Sequence, residues 1–266
     1  MSHLKSTVLL PVAQPLALAT ERYALRLARN DEEVRQAQRL RFNVFNLELN
    51  EGLADSFLTG VDEDEFDAQC DHLLVTEKLT GAVIGTYRLQ TNEAAEDGNG
   101  FYAAGLFDLA DLPAHVLANA LELGRACIAR EHRHSEVLLL LWRGIAAYLQ
   151  QTGKRFLFGC CSLNSQDTRA GWALTQQLGQ GGHLHSTLFV PPQPGYEAAL
   201  LEETDGTLPD VTMPKLLRSY LRFGAKVCGP PALDRQFGTI DFFVLLDVES
   251  LSERARQLLF AEDDQR

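Results

Sequence analysis

A strand–helix–strand stretch in the middle of the chain constrains the fold more than any other feature. Residues 120–130 (ALELGRACIAR) have the pattern of a strand with a kink at Gly124, and they lead directly into a helix predicted over 135–152. Residues 155–163 (RFLFGCCSL) are apolar almost without a break, which is typical of a strand buried on both faces. This succession favours an α/β fold.

The flanking segments add further elements to the same layout. Residues 23–29 alternate as a strand does, and a helix with apolar residues at helical spacing is predicted from residue 31 to about residue 49. A hairpin is predicted at 72–77 and 82–90, followed by a loop at 92–105. The remaining predictions are a helix at 165–178, a strand at 186–190, a helix at 214–224, a strand at 239–247 and an amphipathic helix after residue 250.

Composition narrows the class of protein. The 266 residues carry 24 basic and 36 acidic side chains, a net charge of −12, which argues against nucleic acid as a partner. No run of 18 apolar residues is present, and the five cysteines form no CxxC pair, which favours a reducing compartment. GxGxxG, Walker lysine and GxSxG motifs are absent, which disfavours dinucleotide folds, P-loop NTPases and α/β-hydrolases. We expect an N-terminal tail at 1–20, one domain at 21–249 and a C-terminal helical tail at 250–266.

The turn before the central helix carries the first family resemblance. Arg133-His-Ser-Glu-Val-Leu138 follows a strand and opens a helix, and this arrangement resembles the phosphate-binding turn R/Q-x-x-G-x-G/A of the Gcn5-related N-acetyltransferases (GNAT). The resemblance implies a GNAT-like three-layer α/β/α sandwich with a mixed, mostly antiparallel twisted sheet. Glu136 and Leu138 replace both glycines, and a carboxylate there would repel a pyrophosphate. This favours the single phosphate of an acyl-phosphopantetheine arm on acyl carrier protein over coenzyme A.

Short motifs in a fixed order restrict the resemblance to one branch of the GNAT proteins. RLRFNVFNLELN (39–50), DEDEFD (62–67), YRLQT (87–91) and ELGR (122–125) resemble the branch that contains acyl-homoserine-lactone synthases and ornithine-lipid N-acyltransferases. The second half of the chain, including LLLLWRGIAAYL and FLFGCCSL, is similar to the ornithine acyltransferases alone. The resemblance covers about residues 23–248.

The resemblance implies a set of site residues. Aminolysis of a thioester needs a group that accepts the proton of the amine, and an Arg fork suits a substrate carboxylate. The implied residues are Glu122 and Asp64 as catalytic groups, Arg41, Phe45, Asp67 and Arg88 at the acceptor, and Arg125 and Arg133 at the donor phosphate. Surface ion pairs, a core-edge aromatic and a solvated acidic loop are the alternatives. The spacing of His132 and His134 has no supporting ligands, so no metal site is predicted.

The resulting hypothesis is an N-acyltransferase that moves a (3-hydroxy)fatty acyl chain from acyl carrier protein to the α-amine of ornithine. This would be the first step of ornithine lipid biosynthesis. We expect no permanently bound cofactor and a cytoplasmic location, with peripheral contact to the inner membrane as a further expectation. Basic residues on the predicted helix at 214–224, or a second group within 130–155, would contact acyl carrier protein. The alternatives are another acceptor amino acid, acetyl transfer from acetyl-CoA, and a degenerate GNAT domain that binds lipid or protein.

Overall fold

One mixed sheet organises the structure, a computed structural model that describes residues 16–199 and 208–260. Its strands follow the order β1-β2-β3-β4-β5-β6-β9-β7, with β8 also paired to β9. All pairs are antiparallel except β5 with β6, so the predicted mixed and mostly antiparallel sheet is confirmed. The strands are β1 (Ala17–Ala19), β2 (Tyr23–Leu27), β3 (Asp71–Glu77), β4 (Val83–Thr91), β5 (Ala120–Ile128), β6 (Phe156–Leu163), β7 (Lys226–Val227), β8 (Ala232–Asp234) and β9 (Thr239–Asp247).

Helices cover both faces of this sheet. Those of the described ranges are α1 (Asp31–Phe42), α2 (Ser56–Thr59), α3 (Asn92–Asp97), α4 (Ala114–Ala118), α5 (Ser135–Thr152), α6 (Thr168–Gln180), α7 (Lys215–Arg222) and α8 (Glu253–Phe260). Helix α1 begins where the Asn30 side chain accepts a hydrogen bond from the Glu33 N–H (3.0 Å), and it continues as a π-helical turn over Asn43–Glu48. Helix α5 ends at Gly153, whose φ of +66° suits glycine.

Helices α5 and α1 pack on opposite faces of the sheet. Val137, Leu141 and Ile145 of α5 are at most 1% exposed and belong to the main core, which also contains apolar residues of β2–β6 and β9. Helix α1 and its π-helical turn pack against β4 and β5 through a separate cluster that includes Leu40 and Phe45. The predicted three-layer arrangement is therefore confirmed.

Two of the predicted elements are wrong. Residues 186–190 form no strand, because the His185 imidazole Nδ1 accepts hydrogen bonds from the N–H groups of Thr187 (3.2 Å) and Leu188 (2.9 Å) and curls the chain. The predicted loop at 92–105 instead contains α3 and a 3₁₀ turn over Tyr102–Gly105.

Parts of both predicted tails join the fold. Strand β1 pairs with β2 although it lies within the segment predicted as an N-terminal tail, of which residues 1–15 lie outside the described residues. Helix α8 buries Ala255 and Leu259 in the main core, within the segment predicted as a C-terminal helical tail. No helix in the described part of the chain combines the length and apolarity needed to cross a bilayer.

Candidate active site

The parallel strands β5 and β6 pair over only three positions. Ala120 to Glu122 face Phe156 to Phe158, and the two strands then lose their pairing while β6 continues along β9. A central cavity of about 260 Å³ occupies the resulting gap. Its wall includes residues of β4, β5, β6, α7 and β9 together with the segment after α1. The parallel pair among the described strands therefore opens where a substrate can enter between them.

Gly159 permits the close approach of the two strands at the start of this gap. A Cβ at this position would lie 2.2 Å from the carbonyl oxygen of Leu123. We expect Gly159→Ala to destabilise the protein by at least about 1–3 kcal/mol, since backbone must move to accept the methyl group. Chemical denaturation would measure the loss. Gly105→Ala is the control, because a Cβ there meets no heavy atom within 4 Å; equal effects of the two substitutions would contradict the prediction.

A bulge in β5 shapes one wall of the central cavity. Thr86 pairs with Cys127 and Arg88 with Gly124, so Tyr87 faces two residues, Arg125 and Ala126. Arg125 has a φ of +49°, a left-handed conformation that costs a non-glycine residue about 1–2 kcal/mol. Gly124, Arg125 and Ala126 all line the cavity. Strain of this kind persists where surrounding contacts impose it, and it is concentrated at functional sites.

A buried arginine–aspartate cluster lies beside this bulge. Its members are Arg41, Arg88, Arg125, Asp62, Asp64 and Asp67, and none has a side chain more than 12% exposed. Arg41 donates two hydrogen bonds to Asp67 (2.7 and 2.8 Å), and Asp64 accepts from Arg88 (2.5 Å) and Arg125 (2.9 Å). Three positive and three negative groups balance one another, which is the condition for burying so many charges.

The cluster brings together five of the residues predicted at the site. Arg88 and Arg125 line the central cavity, whereas Arg41 is fully buried behind them and does not. Burial opposes ionisation of Asp67, but the hydrogen bonds of Arg41 and the charges of both arginines outweigh it and hold the Asp67 pKa below its ordinary value. Arg41 and Asp67 are therefore bound to each other in this structure, and their predicted contact with substrate stays a prediction.

Asp62 completes the cluster and was missed by the sequence analysis. It is 0% exposed, and its Oδ2 lies 3.3 Å from Arg41 Nε and 3.4 Å from Arg125 Nε. The signal was present in the motif DEDEFD: Asp62, Asp64 and Asp67 turn inward, whereas Glu63 is exposed and pairs with surface Arg35.

Glu122 lies on β5 opposite Gln90 of β4, a short distance along the strand before the bulge. Its two carboxylate oxygens accept hydrogen bonds from the N–H groups of Tyr102 (2.9 Å) and Ala103 (2.7 Å). Burial raises its pKa from the ordinary 4.5 to about 7, although these N–H groups and Arg88 favour the anion. Arg125 does not pair with Glu122 but lies over the Tyr102 ring, 4.9 Å from its centroid. Glu122 therefore lies behind a cavity wall that Tyr102 and Gly124 form.

Two further acids, Glu51 and Asp241, line the opposite wall and were also missed. Asp241 is 3% exposed and accepts hydrogen bonds from the hydroxyls of Ser162 (2.5 Å) and Thr239 (3.2 Å). An acid in the otherwise apolar strand TIDFFVLLD was the sequence signal for Asp241. Phe45, a predicted site residue, lies on the same side and packs edge-to-face on Phe237.

The side of the cavity that faces α5 and α7 is mainly apolar. Leu123 and Leu217 line it, together with Tyr87 and Tyr220, whose buried hydroxyls lie 2.5 Å apart. A small void adjoins Tyr220 and is lined by Leu123 of β5 and by mostly apolar residues of β6 and β9. The central cavity thus connects a polar face with an apolar one, a division that suits a polar acceptor and an acyl chain.

Arg133 and Arg125 do not form one phosphate site. Arg133 lies at the start of α5, where it donates two hydrogen bonds to Glu48 (2.5 and 2.8 Å) and one to the Ile128 carbonyl (2.8 Å). Arg133 does not line the central cavity, whereas Arg125 belongs to the arginine–aspartate cluster. Their shared role at a donor phosphate stays a prediction.

Comparisons with known proteins show the family and the fold. The family model described as an acetyltransferase (GNAT) domain matches residues 40–143. An L-ornithine N(alpha)-acyltransferase of Brucella abortus is 34% identical over 243 residues, which are 86% of this chain and 86% of that protein. Its counterpart in Agrobacterium fabrum is 34% identical over 86% of this chain and 82% of its own length. The solved structure of FeeM, an N-acyl amino acid synthase from uncultured soil microbes, shares the fold with a TM-score of 0.51 at 11% identity, over 91% of this chain and 100% of that one.

Proposed function

Because the chain belongs to the family of L-ornithine N(alpha)-acyltransferases, we propose that it transfers a fatty acyl chain from a thioester to the α-amine of L-ornithine. The GNAT resemblance and the acyltransferase class predicted from the sequence are thereby confirmed. The observation that carries the choice of substrate is the 34% identity to these relatives over most of both chains. The cavity between β5 and β6 supports it, since polar and apolar walls face the same space.

The reaction joins the acceptor nitrogen to the thioester carbonyl carbon and releases a thiol. The carbonyl oxygen gains negative charge in the transition state and needs hydrogen-bond donors placed in advance. A bulge leaves a residue of its strand unpaired, so we assign this task to backbone N–H groups of the 124–126 bulge, which lines the cavity. The neutral amine loses a proton as the bond forms. We assign its uptake to Glu122, acting through one water because the carboxylate lies behind Tyr102 and Gly124; its pKa of about 7 suits a base at neutral pH.

The arginine–aspartate cluster provides the contacts for the acceptor. We propose that Arg88 and Arg125 bind the α-carboxylate, since both guanidinium groups reach the cavity wall. Asp64 holds both of these arginines in position and does not itself line the cavity, so its catalytic role stays a prediction. Arg41 and Asp67 act behind them as positioning residues, and Phe45 closes the cavity on the acceptor side.

The donor we propose is a (3-hydroxy)acyl chain on acyl carrier protein. The α5 start lacks the glycines of a coenzyme A turn, and exposed Lys215, Arg218 and Arg222 follow one face of α7, whose Leu216 and Leu217 reach the cavity. An acidic carrier protein docked on this face would present its phosphopantetheine arm to the apolar side of the central cavity.

Arg133→Ala tests the donor phosphate contact. We expect the KM for acyl carrier protein to rise several-fold because a charge-assisted hydrogen bond to phosphate is lost, with the KM for ornithine unchanged. Arg39→Ala is the control, as Arg39 is exposed on α1, pairs with Glu32 and lies outside both proposed carrier contacts. Equal KM values for wild type and Arg133→Ala would remove Arg133 from the donor site.

A substrate panel tests the proposed function as a whole. Purified protein would be incubated with acyl carrier protein charged with 3-hydroxyacyl or plain acyl chains, or with acyl-CoA, and with individual amino acids. Mass spectrometry would identify the products. We expect N(alpha)-acyl ornithine from the carrier-bound chain. A different acylated amino acid would revise the acceptor, and acylation from acyl-CoA alone would revise the donor. If no pairing gives a product, the result would contradict the proposed function and favour a binding module.

A further inference from the structure

Charge is distributed unequally around the central cavity. On one wall, the guanidinium groups of Arg88 and Arg125 belong to a cluster in which three arginines meet three aspartates. On the other wall stand the carboxyl groups of Glu51 and Asp241. Among the described residues, neither of these two acids forms an ion pair. The cavity therefore has two carboxyl groups without an ion-pair partner on one side, although the charge of Arg125 acts on Asp241 from a distance.

The position of Asp241 is fixed by its neighbours. Its carboxylate accepts hydrogen bonds from Ser162 and Thr239, so the side chain has one preferred orientation on β9. Ser162 lies directly opposite Asp241 in the β6–β9 pair and also lines the cavity. Hydroxyl donors satisfy part of the acceptor capacity of the carboxylate but supply no positive charge.

Glu51 is fixed through its backbone. Asn50 has a φ of +55°, and the Glu51 N–H donates to the Phe45 carbonyl (2.8 Å). The next residue, Gly52, donates its N–H to the Phe237 carbonyl (3.0 Å), which ties this turn to the segment before β9. The Glu51 side chain itself has no hydrogen bond within the described residues, although it lines the cavity. A turn held at both ends thus presents a carboxyl group with no protein partner.

We propose that Glu51 and Asp241 bind the side-chain ammonium of the acceptor and thereby select a diamino acid over a neutral amino acid. This inference rests on the proposed function and names the residues that read the acceptor's side chain. An ammonium group has three donors and one positive charge, which are what two carboxyl groups without an ion-pair partner require. Phe45 and Phe237 beside them offer apolar surface to the methylene chain.

The acceptor then spans the cavity between the two walls. Its α-carboxylate lies at Arg88 and Arg125, and its side-chain ammonium lies at Glu51 and Asp241. This orientation directs the α-amine, rather than the side-chain amine, to the bulge of β5. The opposite charges of the two walls therefore account for both the choice of acceptor and the choice of nitrogen.

Protonation of the free site agrees with this assignment. Burial and then the charge of Asp241 raise the pKa of Glu51 to about 7, and burial raises that of Asp241 to about 6. The protein alone therefore stabilises the two anions poorly, and a bound cation would supply the missing stabilisation.

The test compares L-ornithine with L-norvaline, which has the same carbon chain without the terminal amine. Wild type, Glu51→Gln and Asp241→Asn would be assayed with one acyl donor, and kcat and KM would be measured for both acceptors. We expect wild type to prefer ornithine strongly. Each variant should lose on the order of 10²-fold in kcat/KM for ornithine, mainly through KM, and keep its kcat/KM for norvaline. Glu96→Gln, an exposed acid on α3, should match wild type.

The outcomes separate this inference from the proposed function. If wild type acylates no amino acid, the proposed function fails. If wild type acylates ornithine and norvaline equally well, or if both variants keep the preference for ornithine, the inference fails while the acyltransferase stands. A fall in kcat that is equal for both acceptors would assign the carboxyl groups to chemistry rather than selection. Glu51→Gln keeps the test decisive should Asp241→Asn fold poorly, because Glu51 has no side-chain hydrogen bonds to lose.

Discussion

Glu122→Gln is expected to lower kcat by about 10²–10⁴-fold, the usual contribution of a positioned general base. The wild-type rate should fall as the pH drops below about 7, because the carboxylate becomes protonated at its raised pKa. The variant should lose this limb of the profile and show a low rate that depends little on pH between 6 and 8 (about one unit either side of that pKa). Steady-state kinetics across this range would measure both effects.

Glutamine also tests a purely structural role for the same residue. Its single carbonyl oxygen leaves one of the two N–H groups, Tyr102 or Ala103, without its acceptor, which costs about 1–3 kcal/mol. If Glu122 only positions this segment, activity should fall in proportion to stability and the acid limb should persist in the variant. That result would move the proton acceptor elsewhere.

The raised pKa of Glu122 also has a consequence for stability. The folded-state pKa of about 7 lies above the ordinary 4.5, so the protonated side chain is the one that the fold favours. Its contribution is fully present below pH 4.5 and is lost as the pH rises through about 7. Since Gln cannot ionise, the free energy of unfolding of Glu122→Gln should fall less than that of wild type over this window. Denaturation at pH 5 and pH 8 would compare them.

The elements that the sequence predicted well are those defined by local pattern. Helix α5 has the predicted bounds of 135–152, and β9, whose residues 242–246 are all apolar, has the predicted bounds of 239–247. The strand predicted at 186–190 failed because a neighbouring imidazole accepts the N–H groups that a ladder would use. The periodicity of apolar residues does not reveal whether a side chain or a neighbouring strand will accept the hydrogen bonds of the backbone N–H groups.

Most of the site residues could be identified from the sequence, but their partners in the folded structure could not. Motif spacing identified Arg41, Asp64 and Asp67, and it assigned Asp64 to catalysis and the other two to substrate. The fold instead binds Arg41 to Asp67 across 26 positions of sequence. Pairing of this kind depends on where α1 lies against β4, which is a tertiary property. Glu51 and Asp241 lacked a motif, and only the divergence of β5 from β6 brings both to one cavity.

The buried charge cluster gives the largest expected effect on stability. Asp62→Asn should lower the free energy of unfolding by about 3–5 kcal/mol, because it leaves three buried arginines facing two aspartates. The substitution removes the negative charge and changes little else. Asn has nearly the same shape, neither Asp62 carboxylate oxygen accepts a hydrogen bond among the described residues, and the Asp62 main-chain carbonyl still accepts from Arg41. Urea denaturation followed by circular dichroism would measure the change.

Glu32→Gln on α1 is the matched control for this prediction. It removes one carboxylate from the exposed Arg39–Glu32 pair, whose side chains are 53% and 65% accessible, and should cost less than about 1 kcal/mol. The contrast follows from solvent: water replaces the lost partner of Arg39, whereas it does not reach Arg41, which is 0% exposed. A loss for Asp62→Asn no larger than that of the control would mean that the cluster tolerates an unbalanced charge. In that case Arg88 and Arg125 would not need three aspartates to stay buried at the cavity wall, and Asp64 would be left as the partner that orients them.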